Sequence, residues 1–130
     1  MSLKLGAADL VSRAMQRVKT LDVAEAIAAH AHSNALFVDL REPHEIERTG
    51  MIPGAVHVPR GTLEFRVDPE SPFFMEDFGQ DRPIILYCQL AARSALATAT
   101  LIDMGIENVS HISGGFAAWT EACGPVECAG

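Results

Sequence analysis

The sequence predicts a small α/β domain in which a mostly parallel sheet is covered by helices on both faces. Three observations carry this expectation. Short, largely apolar runs at residues 35–40, 55–58, 84–88 and 109–112 alternate with stretches of helical spacing. Those runs have the near-continuous apolar character of strands buried on both faces. The chain has 130 residues, 48% of them hydrophobic and 21% charged, enough for one folded core and too apolar for a disordered segment.

In chain order, Val11, Ala14, Met15 and Val18 recur at the spacing of one helix face, predicting a helix over residues 7–18. Asp22 followed by Glu25 forms a capping box, and Val23, Ala26 and Ile27 continue a second helix to about His32. Residues 35–40 read as a buried strand that delivers Asp39, Leu40 and Arg41. Pro43 opens a short helix that Gly50 stops. A second strand follows over 55–58, closed by Pro59 and Gly61. The stretch 60–82 is punctuated by Pro69, Pro72 and Gly79 and holds Phe65, Phe73, Phe74 and Phe78. It is read as a short helix over 63–67 and then a packed loop whose aromatic residues anchor it to the core. Residues 84–88 form the central strand, 93–104 a helix capped by Gly105, 109–112 a fourth strand, and 116–122 a last helix. By domain, residues 1–20 are expected as a helical extension packed on a body spanning 21–124, with 125–130 as a tail.

Ligands of such sheets sit beyond the carboxyl ends of the strands. Asp39 and Arg41, His57 and Arg60, Cys88, and Ser113 with Gly114 all fall at that rim. The central strand thus delivers the Cys88 thiol onto a tight loop that opens a helix. Loop and helix N–H groups turned inward favour the thiolate, the form that attacks electrophiles. The plainer alternative is an inert buried cysteine at a strand end.

The charge balance, 10 basic against 17 acidic residues for a net −7, argues against partners such as nucleic acid or an anionic membrane, which need a basic face. No stretch is long and apolar enough to span a bilayer, and residues 1–10 lack the apolar core of a signal peptide, so the expected location is the cytoplasm. Three cysteines do not make a disulfide framework. The spacing of Cys123 and Cys128 does not suit a structural metal pair, so no metal is expected and the two are read as tail residues without a role. The five histidines stand at no spacing from Cys88 that suggests a catalytic pair. Oligomeric state is not written in the sequence.

Val38-Asp39-Leu40-Arg41-Glu42, Gly50-Met51-Ile52-Pro53-Gly54-Ala55, Leu86-Tyr87-Cys88, Arg93-Ser94 and Ser113-Gly114-Gly115-Phe116 with Trp119 follow one another in an order and spacing that resembles a single-domain rhodanese. The resemblance covers roughly residues 20–122. It implies the rhodanese-like three-layer α/β/α fold and cofactor-free sulfur transfer. Cys88 would carry sulfur as a persulfide, taken from thiosulfate or another persulfide and passed to cyanide, a thiol or a protein acceptor. The substrate-binding loop would be Gln89, Leu90, Ala91, Ala92 and Arg93, with Asp39, Arg41 and Ser94 in support. Four residues separate Cys88 from Arg93, as in the sulfurtransferases of that fold, whereas the related dual-specificity phosphatases carry five.

The loop departs from the family pattern in having no glycine three positions after the cysteine and no basic residue before Arg93. Ala91 is therefore expected to reshape or slightly strain the cup, and Leu90 to put apolar bulk at its mouth. Arg93 either contacts substrate or pins the loop to a carboxylate. Asp39 is expected to fix backbone or Arg93, and Arg41 either receives the donor's anionic end or is a solvated surface residue. Two further readings stay open: a catalytically weak binding or regulatory module that recognises a partner through the Cys88 loop, and a redox protein pairing Cys88 with a tail cysteine.

Overall fold

The computed structural model describes residues 1–128; Ala129 and Gly130 of the expected tail lie outside them. In chain order the elements are α1 (Ala7–Arg17), β1 (Lys19–Leu21), α2 (Val23–His32), β2 (Leu36–Asp39), α3 (Pro43–Thr49), β3 (Val56–His57), α4 (Leu63–Val67), β4 (Ile84–Tyr87), α5 (Ala92–Asp103), β5 (Val109–Ile112) and α6 (Gly115–Glu121). The five strands form one sheet in the order β1-β5-β4-β2-β3, and every pairing is parallel. Every residue of β2, β4 and β5 is buried, as their continuous apolar runs require.

Alternation along the strands divides the core in two. Leu36 and Val38 of β2, Ile84 and Leu86 of β4 and Val109 of β5 pack with Leu63 and Val67 of α4 and Ala97 and Leu101 of α5. Phe37, Ile85, Tyr87 and Ile112 face the other way, onto Ala26 of α2 and Phe116 and Trp119 of α6. Helices thus cover both faces, giving the expected three layers.

Three local expectations need correction. The sheet has five strands, not four, because Lys19–Leu21 pairs with β5 at the register Thr20↔His111; three residues are too few to display strand alternation. Val11 and Ala14 of α1 and Val18 just after it pack on Ala95 and Ala99 of α5, but Met15 is 39% exposed. In the 60–82 stretch Met75 and Phe78 do anchor to the core, whereas Phe65 and Phe73 face solvent. Beyond α6 the chain folds back: Trp119 Nε1 donates to Pro125 O at 2.7 Å, and Met51 and Glu127 form an antiparallel bridge.

The topology explains why chemistry collects beside β4. The chain leaves β2 toward β3 on one side and leaves β4 toward β5 on the other, so the strand order reverses between them. The loops leaving β2 and β4 therefore part at their carboxyl ends and open a crevice. Asp39–Arg41 follow β2 and Cys88–Ala91 follow β4 at this point.

Candidate active site

Cys88, 1% exposed, ends β4 and begins a loop that enters α5 at Ala92. Its Sγ accepts the backbone N–H of Ser94 at 3.4 Å, inside the first turn of α5. The start of a helix carries unpaired N–H groups and partial positive charge. The loop carbonyls are held from outside by α6: Phe116 N donates to Cys88 O at 2.9 Å and Ala117 N to Gln89 O at 3.0 Å. Among the described residues, the N–H groups of Gln89, Leu90, Ala91, Ala92 and Arg93 meet no protein acceptor. A cup with its donors unspent and its acceptors engaged elsewhere suits an anion.

The Gly114-Gly115 turn makes this docking possible. Gly115 has φ +59°, and a Cβ there would lie 2.1 Å from Leu90 O and 2.6 Å from Cys88 O. No side chain fits between α6 and the loop. Ala91 has φ −162° and ψ −8°, so its backbone does not take the left-handed conformation that would call for a glycine. Leu90, in the loop, is 64% exposed.

Arg41 is neither a surface residue nor free for an anionic donor; it is fully buried, and that alternative is overturned. Its Nε donates to Asp39 Oδ1 at 3.0 Å and its Nη2 to Asp39 Oδ2 at 2.7 Å and Gly50 O at 2.8 Å. Nη1 donates to Thr49 Oγ1 at 2.9 Å and Gln89 Oε1 at 3.2 Å. The guanidinium lies 4.1 Å over the Phe116 ring. All of its polar hydrogens are used, in a bidentate fork closed by an aromatic face. Asp39 Oδ1 also accepts the backbone N–H of Arg41 at 2.9 Å, so Asp39 fixes backbone, as one of its two expected roles had it, and the Arg41 side chain in place of Arg93. Arg41 ties β2, the Gly50 turn and loop residue Gln89 together.

Arg93 pairs with Glu45 of α3, Nη1 to Oε1 at 2.8 Å and Nη2 to Oε2 at 3.0 Å. This pairing holds the Glu45 carboxyl down to about 2 and raises Arg93 above the ordinary arginine value. The arginine that closes the loop is therefore pinned to a carboxylate. His57 and Arg60 do not turn into the cup: His57 Nε2 bonds Arg41 O at 2.7 Å, and Arg60 reaches Glu64 and Thr100. Ser113 is exposed.

A histidine that spacing did not single out is linked to the thiol through Ser94, by one hydrogen bond on each side. His111 of β5 is fully buried, its Nδ1 2.8 Å from Ser94 Oγ and its Nε2 3.0 Å from Thr20 Oγ1. Ser94 Oγ also donates to Ala91 O at 3.1 Å. No sequence spacing predicts contacts across 17 and 91 residues: the first comes from α5 packing on β5, the second from the adjacent register of β1 and β5. Among the described residues no group of three or more His, Cys, Asp or Glu is placed to hold a metal ion, and no helix is long and apolar enough to cross a membrane.

Comparison with known proteins matches residues 22–122 to the family model described as Rhodanese-like domain. A sulfurtransferase of Allochromatium vinosum is 36% identical over 86 residues, covering 66% of this chain and 72% of that protein. A solved Rhodopseudomonas palustris protein of unknown function, described as a possible tyrosine phosphatase, is 43% identical, covers 98% of both chains and superposes with a TM-score of 0.94. A thiosulfate sulfurtransferase from Pseudomonas aeruginosa is 27% identical with a TM-score of 0.73, over 95% of this chain and 23% of that one.

Proposed function

We propose that this chain, which belongs to the rhodanese-like domain family, is a sulfurtransferase that carries sulfane sulfur on Cys88. The observation carrying this reading is the cup itself. Cys88 Sγ accepts the Ser94 N–H, and α6 holds the Cys88 and Gln89 carbonyls outside. A binding module needs no such enclosure of a thiol.

The chemistry takes two displacements. In the first, the Cys88 thiolate attacks the outer sulfur of the donor. A new S–S bond forms, the donor's own S–S bond breaks, and its electron pair leaves with sulfite or a thiolate. In the second, cyanide, a thiol or a protein cysteine attacks the outer sulfur of the persulfide, and Cys88 departs as thiolate. Atoms and electrons balance without an external oxidant. The terminal sulfur of the persulfide anion is the charge that the free N–H groups of Gln89 to Arg93 would receive. Arg93, neutralised by Glu45, closes the cup and leaves the backbone to meet the charge. The donor is thiosulfate or a low-molecular-weight or protein persulfide, and exposed Leu90 at the mouth favours a donor with an apolar portion.

The phosphatase description of the Rhodopseudomonas palustris protein supplies a second reading. The four residues between Cys88 and Arg93 argue against it, since a phosphate group needs a wider cup. Incubation with thiosulfate and cyanide should yield thiocyanate from the wild type and none from Cys88→Ser, with no hydrolysis of p-nitrophenyl phosphate by either. Phosphate release without thiocyanate would reverse the assignment.

A further inference from the structure

His111 is the one fully buried histidine among the described residues, and the two displacement steps make no use of it. It stands on the α5 face of β5, directly across the register from Thr20 of β1. Its ring bridges Thr20 Oγ1, 3.0 Å from Nε2, and Ser94 Oγ, 2.8 Å from Nδ1.

With a neutral ring, the hydrogens have one arrangement that satisfies every contact. Ser94 Oγ–H donates to Ala91 O, so the hydroxyl can only accept from the ring, and the ring must carry its hydrogen on Nδ1. Nε2 is then an acceptor, and Thr20 Oγ1–H fills it. The opposite tautomer would set the Ser94 and Ala91 oxygens 3.1 Å apart with no hydrogen between them. The ring is neutral because burial pushes His111 down to about 4.

Ser94 is therefore held at three points. Its backbone N–H meets Cys88 Sγ, its hydroxyl meets the carbonyl of Ala91, and its oxygen receives the histidine. Ala91 is the residue that turns the loop into α5. We propose that His111 is a positioning residue for Cys88: its Nδ1–H orients the Ser94 hydroxyl, and Ser94 in turn fixes both the sulfur and the Ala91 corner of the cup.

The role in sulfur loading rests on the reading of Cys88 as the sulfur carrier, but the brace can be tested without it. The rate and pH profile of Cys88 alkylation by iodoacetamide, followed by mass spectrometry of the Cys88 peptide, report on the thiol whatever it carries. The variants are His111→Leu, His111→Asn and His111→Gln, each checked for folding by circular dichroism. Asparagine places an N–H near the site of Nδ1, and glutamine places one near Nε2. His111→Leu and His111→Gln should alkylate about tenfold more slowly, the loss of roughly one oriented hydrogen bond, and His111→Asn should recover most of the rate. His111→Leu combined with Ser94→Ala should be no slower than the slower single variant, because the two act through one contact.

Wild-type rates in His111→Leu, equal rates in the asparagine and glutamine variants, or multiplied effects in the double variant would each overturn the proposal. If His111→Leu fails to fold, the contrast between asparagine and glutamine decides it. If the wild type takes up no sulfur from thiosulfate or from a small-molecule persulfide, yet asparagine outpaces glutamine in alkylation, the brace stands and the sulfur-carrier reading falls.

Discussion

Replacing Arg41 with methionine isolates the contact that holds the crevice together. The side chain fills similar length, so the perturbation is the loss of charge and donors. Asp39, fully buried, then keeps the backbone N–H of residue 41 at 2.9 Å and loses both halves of the guanidinium fork. Gly50 O, also buried, loses its 2.8 Å donor, while Thr49 and Gln89 can turn to water. Leaving one member of a buried ion pair unpaired costs about 3–5 kcal/mol, a large share of the roughly 5–15 kcal/mol that holds a domain folded. Urea denaturation of Arg41→Met should show that loss. Asp39→Asn in the same chain should return about 2 kcal/mol, because the uncompensated charge is gone. An exposed arginine would cost no more than about 1 kcal/mol. A loss that small, or no recovery in the double variant, would refute the buried-brace account of Arg41.

Two further outcomes follow from the packing around the cup. Gly115→Ala forces a Cβ against the Leu90 and Cys88 carbonyls at a positive φ, and should cost at least about 2 kcal/mol in denaturant midpoint analysis and abolish sulfur loading. Gly61→Ala, with nothing within 4 Å of the new atom, is the control and should change neither. Acid should destabilise the fold in two steps. His111 is held at about 4, below its ordinary value of 6.5, so the unfolded chain takes up its proton first and stability falls as pH drops from 6.5 to 4. That step is worth up to about 3 kcal/mol. Glu45, held down to about 2 by Arg93, contributes stability above its ordinary 4.5 that is lost as pH falls toward 2. Stability measured against pH should lose the upper step in His111→Asn and keep the lower one; an unchanged upper step would remove His111 as its source.

What the sequence made legible was what repeats along the chain. The continuous apolar runs of β2, β4 and β5 identified buried parallel strands, the Asp22–Glu25 box marked the start of α2, and the Cys88-to-Arg93 interval marked the loop. What stayed hidden depends on neighbours distant in sequence. β1 has three residues and declares itself only by pairing with β5. Arg41 looks solvated between Leu40 and Glu42, yet the reversal of strand order beside β4 buries it. Arg93 finds its carboxylate 48 residues away on α3. His111 reaches the cup through a serine and a parallel register that no spacing rule encodes.

The central claim is that Cys88 carries the sulfur. Intact-protein mass spectrometry after incubation with thiosulfate, and separately with a small-molecule persulfide, measures this directly. One added sulfur should appear on the wild type, map to the Cys88 peptide, and leave on addition of cyanide. It should be absent from Cys88→Ser and unaffected in a Cys123→Ser, Cys128→Ser double variant, whose exposed thiols lie outside the cup. Sulfur retained by Cys88→Ser, or no added sulfur on the wild type from either donor, would contradict the account.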